Sequence, residues 1–282
     1  MTKQRGTFSY PGSKTLIRRW IIDKFPKHHL YVEPFGGAAS VLVGKNRSKV
    51  EVYNDTNSDV VNFFNAVKYH GKELSEWVEA TPYSRELFDK WVASYPEWPD
   101  DVVESAGRFL FIQHASYGGK GIDSGTPHFQ RCKVNERPDA DKSKQWVRKP
   151  PDIEWLQDRF GGVQIEHDDF TNVMERYDDT KAFFYCDPPY VDVGDDYYQT
   201  ENGGFDHERF VETLKSLNGK WLVSYDENIP TGLSDYHVIN REKKTGLSKD
   251  HVAKTESLIM NYDPNETTMF RQSGQEGLEA FE

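Results

Sequence analysis

Asp187-Pro188-Pro189-Tyr190 directly follows Ala182-Phe183-Phe184-Tyr185-Cys186, an apolar run that reads as a buried strand. Two prolines there end the strand's hydrogen-bond ladder, because neither supplies a backbone N–H. They also leave the Pro188 carbonyl as an acceptor in a stiff loop. A carboxylate on one side and an aromatic ring on the other make a slot for a planar amine. Asp187 and the Pro188 carbonyl can accept the two amine hydrogens while Tyr190 stacks on the ring that carries the amine. With both hydrogens held, the nitrogen lone pair tilts out of conjugation toward an electrophile. Taken alone, the same four residues also suit a strand-ending turn with a helix-capping aspartate.

Two further segments have the composition of ligand loops. Glu33-Pro34-Phe35-Gly36-Gly37-Ala38-Ala39-Ser40 reads as a strand end, then small residues, then a helix over about 38–43. Small residues admit a ligand to the backbone, and a helix start offers N–H groups to a carboxylate. Asn54-Asp55 ends the next strand, 18 residues after Gly37, where an acidic side chain can take ribose hydroxyls. The Gly-x-Gly-x-x-Gly fingerprint is absent, which counts against NAD. Tyr10-Pro11-Gly12-Ser13-Lys14 precedes the first helix and looks like a small phosphate loop. It lacks the Gly-x-x-x-x-Gly-Lys spacing, which excludes an NTPase of that class. The histidines and the two cysteines, Cys132 and Cys186, show no metal-ligand spacing, so no metal is expected. Ser13 and Ser40 have no base arranged for nucleophilic catalysis.

The elements that must position these residues follow from periodicity. Helical spacing covers Thr15 to Phe25 and Asn57 to Tyr69, with short strands at Leu30–Glu33 and Val50–Tyr53 between them. From about 71 the rhythm changes to helices over 72–80, 84–95 and 101–116, then to an irregular Gly- and Lys/Arg-rich stretch from Tyr117 to Pro151. Strand and helix patterns return afterwards. Strands are expected at 163–166, 181–186, 221–225, 236–240 and 256–262, and a helix over 205–217. The reading is an α/β core (1–70 and 151–270) interrupted by a helical and basic insertion (71–150) and followed by a polar tail (271–282).

With 36% hydrophobic and 14% aromatic residues, the 282-residue chain can bury a core. No run approaches the roughly 18–20 apolar residues of a membrane span, and no apolar stretch follows the N-terminus, so a cytoplasmic setting is expected. The net charge of -11 argues at first against a nucleic-acid partner. Its distribution argues otherwise. Residues 107–149 carry nine Lys/Arg against four acids, and 241–254 five against two. Phosphate binding answers to the local field, screened over about 8–10 Å, and not to the total.

Taken in order, Tyr10-Pro-Gly-Ser-Lys14, Glu33-Pro-Phe-Gly-Gly37, Asn54-Asp55 and Asp187-Pro-Pro-Tyr190 resemble the Dam-type adenine-N6 DNA methyltransferases, the D12 class of the alpha group. The resemblance runs from Tyr10 to Tyr262. It implies a class I S-adenosylmethionine-dependent methyltransferase fold: α/β, a Rossmann-like mixed sheet with helices on both faces and an inserted target-recognition domain. It implies that Tyr10, Lys14, Glu33, Phe35, Gly37, Asp55, Asp169, Phe170 and Asp187 bind S-adenosylmethionine. Asp187, Pro188, Pro189 and Tyr190 would hold a flipped adenine of double-stranded DNA. Tyr117, Lys120, Arg131, Lys133, Arg241, Lys243 and Lys244 are candidate DNA contacts, with Tyr117 a candidate wedge for the space a flipped base leaves. A cognate restriction endonuclease stays open as a second partner. Two departures stand out: Ala39 replaces a glycine often found in the family's loop, and Ser224-Tyr225 replaces Ser-Asn. The N4 amine of cytosine would suit the same chemistry, and a catalytically silent DNA-binding relative would keep the same fold. Replacing Asp187 by Ala is expected to abolish methyl transfer while leaving the far-ultraviolet circular dichroism unchanged; an active Asp187→Ala protein would remove the central residue of this reading.

Overall fold

The computed structural model describes residues 7–10, 12–117, 121–122, 127–131, 141–190, 204–243 and 254–265. Its elements, in chain order, begin with α1 (Arg18–Ile22), β1 (Leu30–Glu33), β2 (Val50–Asn54), α2 (Ser58–Ala80), α3 (Arg85–Ala93) and α4 (Val102–Ala115). They continue with α5 (Lys142–Trp146), α6 (Pro150–Phe160), β3 (Val163–Glu166), α7 (Phe170–Arg176) and β4 (Ala182–Cys186). The last four are α8 (His207–Ser216), β5 (Lys220–Tyr225), β6 (His237–Lys243) and β7 (Lys254–Met260).

The strands form one mixed sheet in the order β3-β2-β1-β4-β5-β7-β6. Central β4 runs parallel to β1, with Val32 beside Phe184, and parallel to β5, with Cys186 beside Val223. All five β4 residues are buried, the environment that an uninterrupted apolar run specifies. β7 is antiparallel to both β5 and β6. Among the described residues no helix is long and apolar enough to cross a membrane.

Two compact units divide the chain. One draws on Met1–Leu16, Gly36–Gly44 and Tyr53–His167, the other on Ile17–Phe35, Lys45–Val52 and Asp168–Glu282. In the first, α2 starts where the Asn57 side chain accepts from the Asp59 and Val60 amides and bends at His70, whose φ is -132°. Its apolar stripe includes Phe63, Phe64 and Val67, and Phe64 stacks on Phe160 of α6 at 4.5 Å. Asp101 caps α4 and Ser84 caps α3 through their side-chain oxygens. The core of the second unit gathers Val32, Phe184 and Cys186 with Phe170, Phe210, Trp221 and Ile259.

Most expected elements are present within a few residues. Two departures have clear causes. The pattern from Tyr117 to Pro151 predicts irregular chain, yet Lys142–Trp146 is helical. Trp146 is buried there, its indole N–H donating to the Thr81 carbonyl at 2.8 Å, a long-range anchor invisible to local periodicity. The helix expected over 38–43 is absent, and only a 3-10 turn at Leu42–Gly44 follows the glycines. The backbone explains it: Gly37 and Ala39 have φ of 46° and 51°, which no right-handed helix accommodates.

Gly107 of α4 has a packing role, since a Cβ there would overlap the Trp77 ring of α2. Replacing Gly107 with Ala would gain up to about 1 kcal/mol of helix propensity but overpack the contact, at about 1–3 kcal/mol. A net loss of roughly 1 kcal/mol is expected in urea titration, opposite in sign to propensity alone.

Candidate active site

In the first unit the glycine loop is held from three directions. The Gly37 N–H donates to Asp55 Oδ2 at 2.7 Å, the Tyr53 hydroxyl donates to the Gly37 carbonyl at 2.6 Å, and the Gly36 N–H donates to the Asn54 carbonyl at 2.8 Å. Asp55 Oδ1 takes the Asn57 amide at 2.8 Å. Burial raises the Asp55 carboxyl above its ordinary value, and the Asn57, Gly37 and Thr56 amides pull it partly back. A carboxylate has about four accepting positions, so Asp55 retains capacity beyond these amides. Tyr10 lies over the loop, its ring 3.2 Å from where a Gly37 Cβ would sit. Lys14 is buried: its amide donates to Ser40 Oγ and its Nζ to the Gly12 carbonyl at 3.0 Å. Tyr10, Lys14, Gly37 and Asp55, nominated by sequence from three separate segments, thus converge on one loop.

In the second unit Glu33 and Asp187 stand at the ends of neighbouring parallel strands. Glu33 is buried and accepts from the Tyr31 hydroxyl at 2.9 Å. Tyr185 and Cys186 are pushed upward chiefly by burial and further by the negative charges of Asp187 and Glu33. Phe35 packs against Phe170 at 5.4 Å and against Phe205 and Phe210 at 5.6 and 5.5 Å. Asp169 caps α7 by accepting the Thr171 amide and pairs with Arg209 at 2.8 Å, while the same guanidinium lies 4.6 Å over the Phe170 ring.

Tyr190 is half-buried. Its hydroxyl donates to Glu256 Oε1 at 2.9 Å and its ring lies 5.7 Å from Tyr225 at 36°. Tyr225 in turn shares a hydrogen bond with His207 Nδ1 at 3.0 Å. Burial first, then Asp187 and Glu256, hold the Tyr190 phenol firmly protonated. The aspartate, the two prolines and the tyrosine therefore present a carboxylate and a fixed ring at the end of the most buried strand. Arg209 and Glu256 were not singled out by sequence. Glu256 could have been noticed as the lone acid in a strand whose following residues, Ser257 to Met260, are small or apolar.

The candidate DNA contacts are dispersed. Tyr117 is 72% exposed just after α4, and Arg131 is exposed. Arg241 lies on β6 with its guanidinium 5.5 Å over the Trp20 ring. Lys243 ends β6, with its side chain outside what is described, and Lys120, Lys133 and Lys244 lie outside the described residues.

A glycine turn after β1, an acid after β2 and Asp-Pro-Pro-Tyr after β4 of a mixed sheet define a class I methyltransferase. The family model described as D12 class N6 adenine-specific DNA methyltransferase matches residues 10–106 and 135–247, and the chain belongs to that family. The resemblance carried by the ordered motifs is thereby borne out. Among similar proteins are the DNA adenine methylase of Escherichia coli K12, 28% identical over 92% of this chain and 90% of its own length, and the type II methyltransferase M.CviBI of Paramecium bursaria Chlorella virus NC1A, 25% identical over 90% of this chain and 98% of its own. The DNA adenine methylase of Salmonella typhi is 24% identical over 96% of this chain and all of its own.

Ala39 sits in the left-handed region of backbone conformation, at a φ of 51°. A left-handed φ costs an L-residue about 1–2 kcal/mol, so glycine would relieve strain there and lose about 0.4–1 kcal/mol through unfolded-state entropy. Ala39→Gly is expected to stabilise the protein by about 0.5 kcal/mol in urea titration, and destabilisation would contradict this backbone account.

Proposed function

We propose that the chain transfers a methyl group from S-adenosylmethionine to N6 of an adenine turned out of double-stranded DNA, with Asp187 to Tyr190 as the slot for the base. The observation that carries this reading is the joint presence, at the end of β4, of the Asp187 carboxylate and a Tyr190 ring fixed at its hydroxyl, in a member of an adenine-specific family.

S-adenosylmethionine supplies, when bound, a methyl group already activated on a sulfonium. The residues present suit it. Gly37 lacks the side chain that would crowd Tyr10, Asp55 keeps accepting capacity for a ribose hydroxyl, and Glu33 and Asp187 supply negative charge that suits a sulfonium. Tyr10, Lys14 and Gly37 shape the cofactor loop, and Phe35 and Phe170 provide an apolar wall for an adenine ring. Asp169 acts at one remove, since its carboxylate serves the α7 cap and Arg209.

Asp187 and the Pro188 carbonyl accept the hydrogens of the target amine, and Tyr190 stacks on the extruded base. Turning the base out costs a few kcal/mol of unstacking, so the slot must return that through stacking and hydrogen bonds. No side chain attacks; the work is alignment. Exposed Tyr117 and the basic residues Arg131 and Arg241 are the described groups suited to meet DNA, with Lys120, Lys133, Lys243 and Lys244 in the same segments. Incubation with duplex DNA and S-adenosylmethionine, then nucleoside digestion and chromatography, is expected to yield N6-methyladenine. A product peak at N4-methylcytosine, or no methylated nucleoside, would overturn the proposal.

A further inference from the structure

The slot is completed by a residue remote from its motif. Glu256 sits 66 residues after Tyr190, on β7, and is 1% exposed. Its backbone is fixed on both sides: Glu256 lies opposite Arg241 of β6, and the next residue, Ser257, pairs with Tyr225 of β5. From that position Oε1 accepts the Tyr190 hydroxyl at 2.9 Å. Tyr225, which flanks the Tyr190 ring, is itself tied through its hydroxyl to His207 on α8.

A buried carboxylate is expensive to keep. β7 continues through Leu258, Ile259 and Met260, all fully buried, and an apolar side chain at 256 would suit the core of a sheet strand better. What the glutamate supplies is a charged acceptor, whose hydrogen bonds are shorter and stronger than neutral ones. A tyrosine anchored only at its backbone can swing about its first side-chain torsion, and a bond at the far end of the ring stops that swing, while packing against Tyr225 sets the ring's tilt. Donation to a carboxylate also makes the phenol ring richer in electrons, which strengthens its attraction for positive charge over its face.

We infer that Glu256 is a positioning residue for methyl transfer, fixing the position of the Tyr190 ring through its hydroxyl and so setting the slot in which Asp187 meets the target amine. The inference rests on the proposed adenine-N6 reaction and adds to it a residue outside the Asp-Pro-Pro-Tyr motif.

The test compares wild type, E256A, E256Q, Y190F and the E256A/Y190F double variant as full-length protein. Misplacing a reacting group by about 1 Å can cost on the order of 100-fold, so E256A is expected to lower kcat on duplex DNA by about 10- to 100-fold. KM for S-adenosylmethionine should stay within about twofold, because Glu256 acts only on the base slot. E256Q should recover most of the rate, since the amide oxygen can accept the same bond. Y190F should lose as much as E256A, and the double variant should be no slower than Y190F, as for two residues acting through one bond. Should E256A fail to fold, Y190F and E256Q still decide. A Y190F enzyme with the wild-type kcat, or a further multiplicative loss in the double variant, overturns the inference. Carbon-13 spectra of protein labelled at tyrosine Cζ read the bond without turnover: the signal missing from Y190F should move in E256A, and an unmoved signal overturns the contact. Failure of the wild type to methylate adenine would instead overturn the underlying reaction, a result visible before any variant is compared.

Discussion

Strand β4 is buried along its whole length between two parallel neighbours, so it can present chemistry only where it ends. That constraint organises the site. A peptide group in such a strand must be paired within the sheet, and the first residues free of the ladder are Asp187 and the two prolines. Prolines have no N–H left to satisfy, so the chain leaves the sheet without orphaned donors and with little torsional freedom. Ligand crevices of α/β sheets form outside the carboxyl ends of parallel strands for the same reason, and Glu33 after β1 follows that rule as Asp187 does.

Negative charge is the second theme. Glu33, Asp187 and Glu256 are set among aromatic rings and buried sulfur, where a carboxylate is costly unless it is bonded. Phenols donate to two of them: Tyr31 to Glu33, and Tyr190 to Glu256. A phenol is a neutral donor, so these two bonds do not themselves cancel the carboxylates' charge. With burial, this charge opposes ionisation of Tyr185 and Tyr190. An overall charge of -11 is compatible with a DNA substrate because this acidity and the basic segments occupy different parts of the sequence.

The glycine loop shows how hydrogen bonds from the neighbouring strand set a backbone conformation. Asp55 takes the Gly37 N–H, Tyr53 holds the Gly37 carbonyl, and the ring of Tyr53 occupies the space a side chain at Gly36 would need. The loop is therefore locked by residues of β2 and its end, and the left-handed turn at Gly37 and Ala39 follows from that lock.

Read alone, the sequence determined the strands, the helices from 57 to 116 and the order of the four motifs. Strand burial is written locally, as apolar runs closed by prolines, glycines or Asn-Asp, and Asp187 to Tyr190 declares itself by composition. It also carried family membership, because four ordered motifs between Tyr10 and Tyr190 are far more specific than any one of them. Tertiary structure alone decided the rest. The helix expected after Gly37 fails because distant Asp55 and Tyr53 dictate the loop's backbone. Helix α5 forms because Trp146 finds a buried partner at Thr81. The pairings of Arg209 with Asp169 and of Glu256 with Tyr190 join residues 40 and 66 positions apart. Local periodicity registers which face of an element is apolar; it holds no record of which remote polar atom a buried side chain will meet.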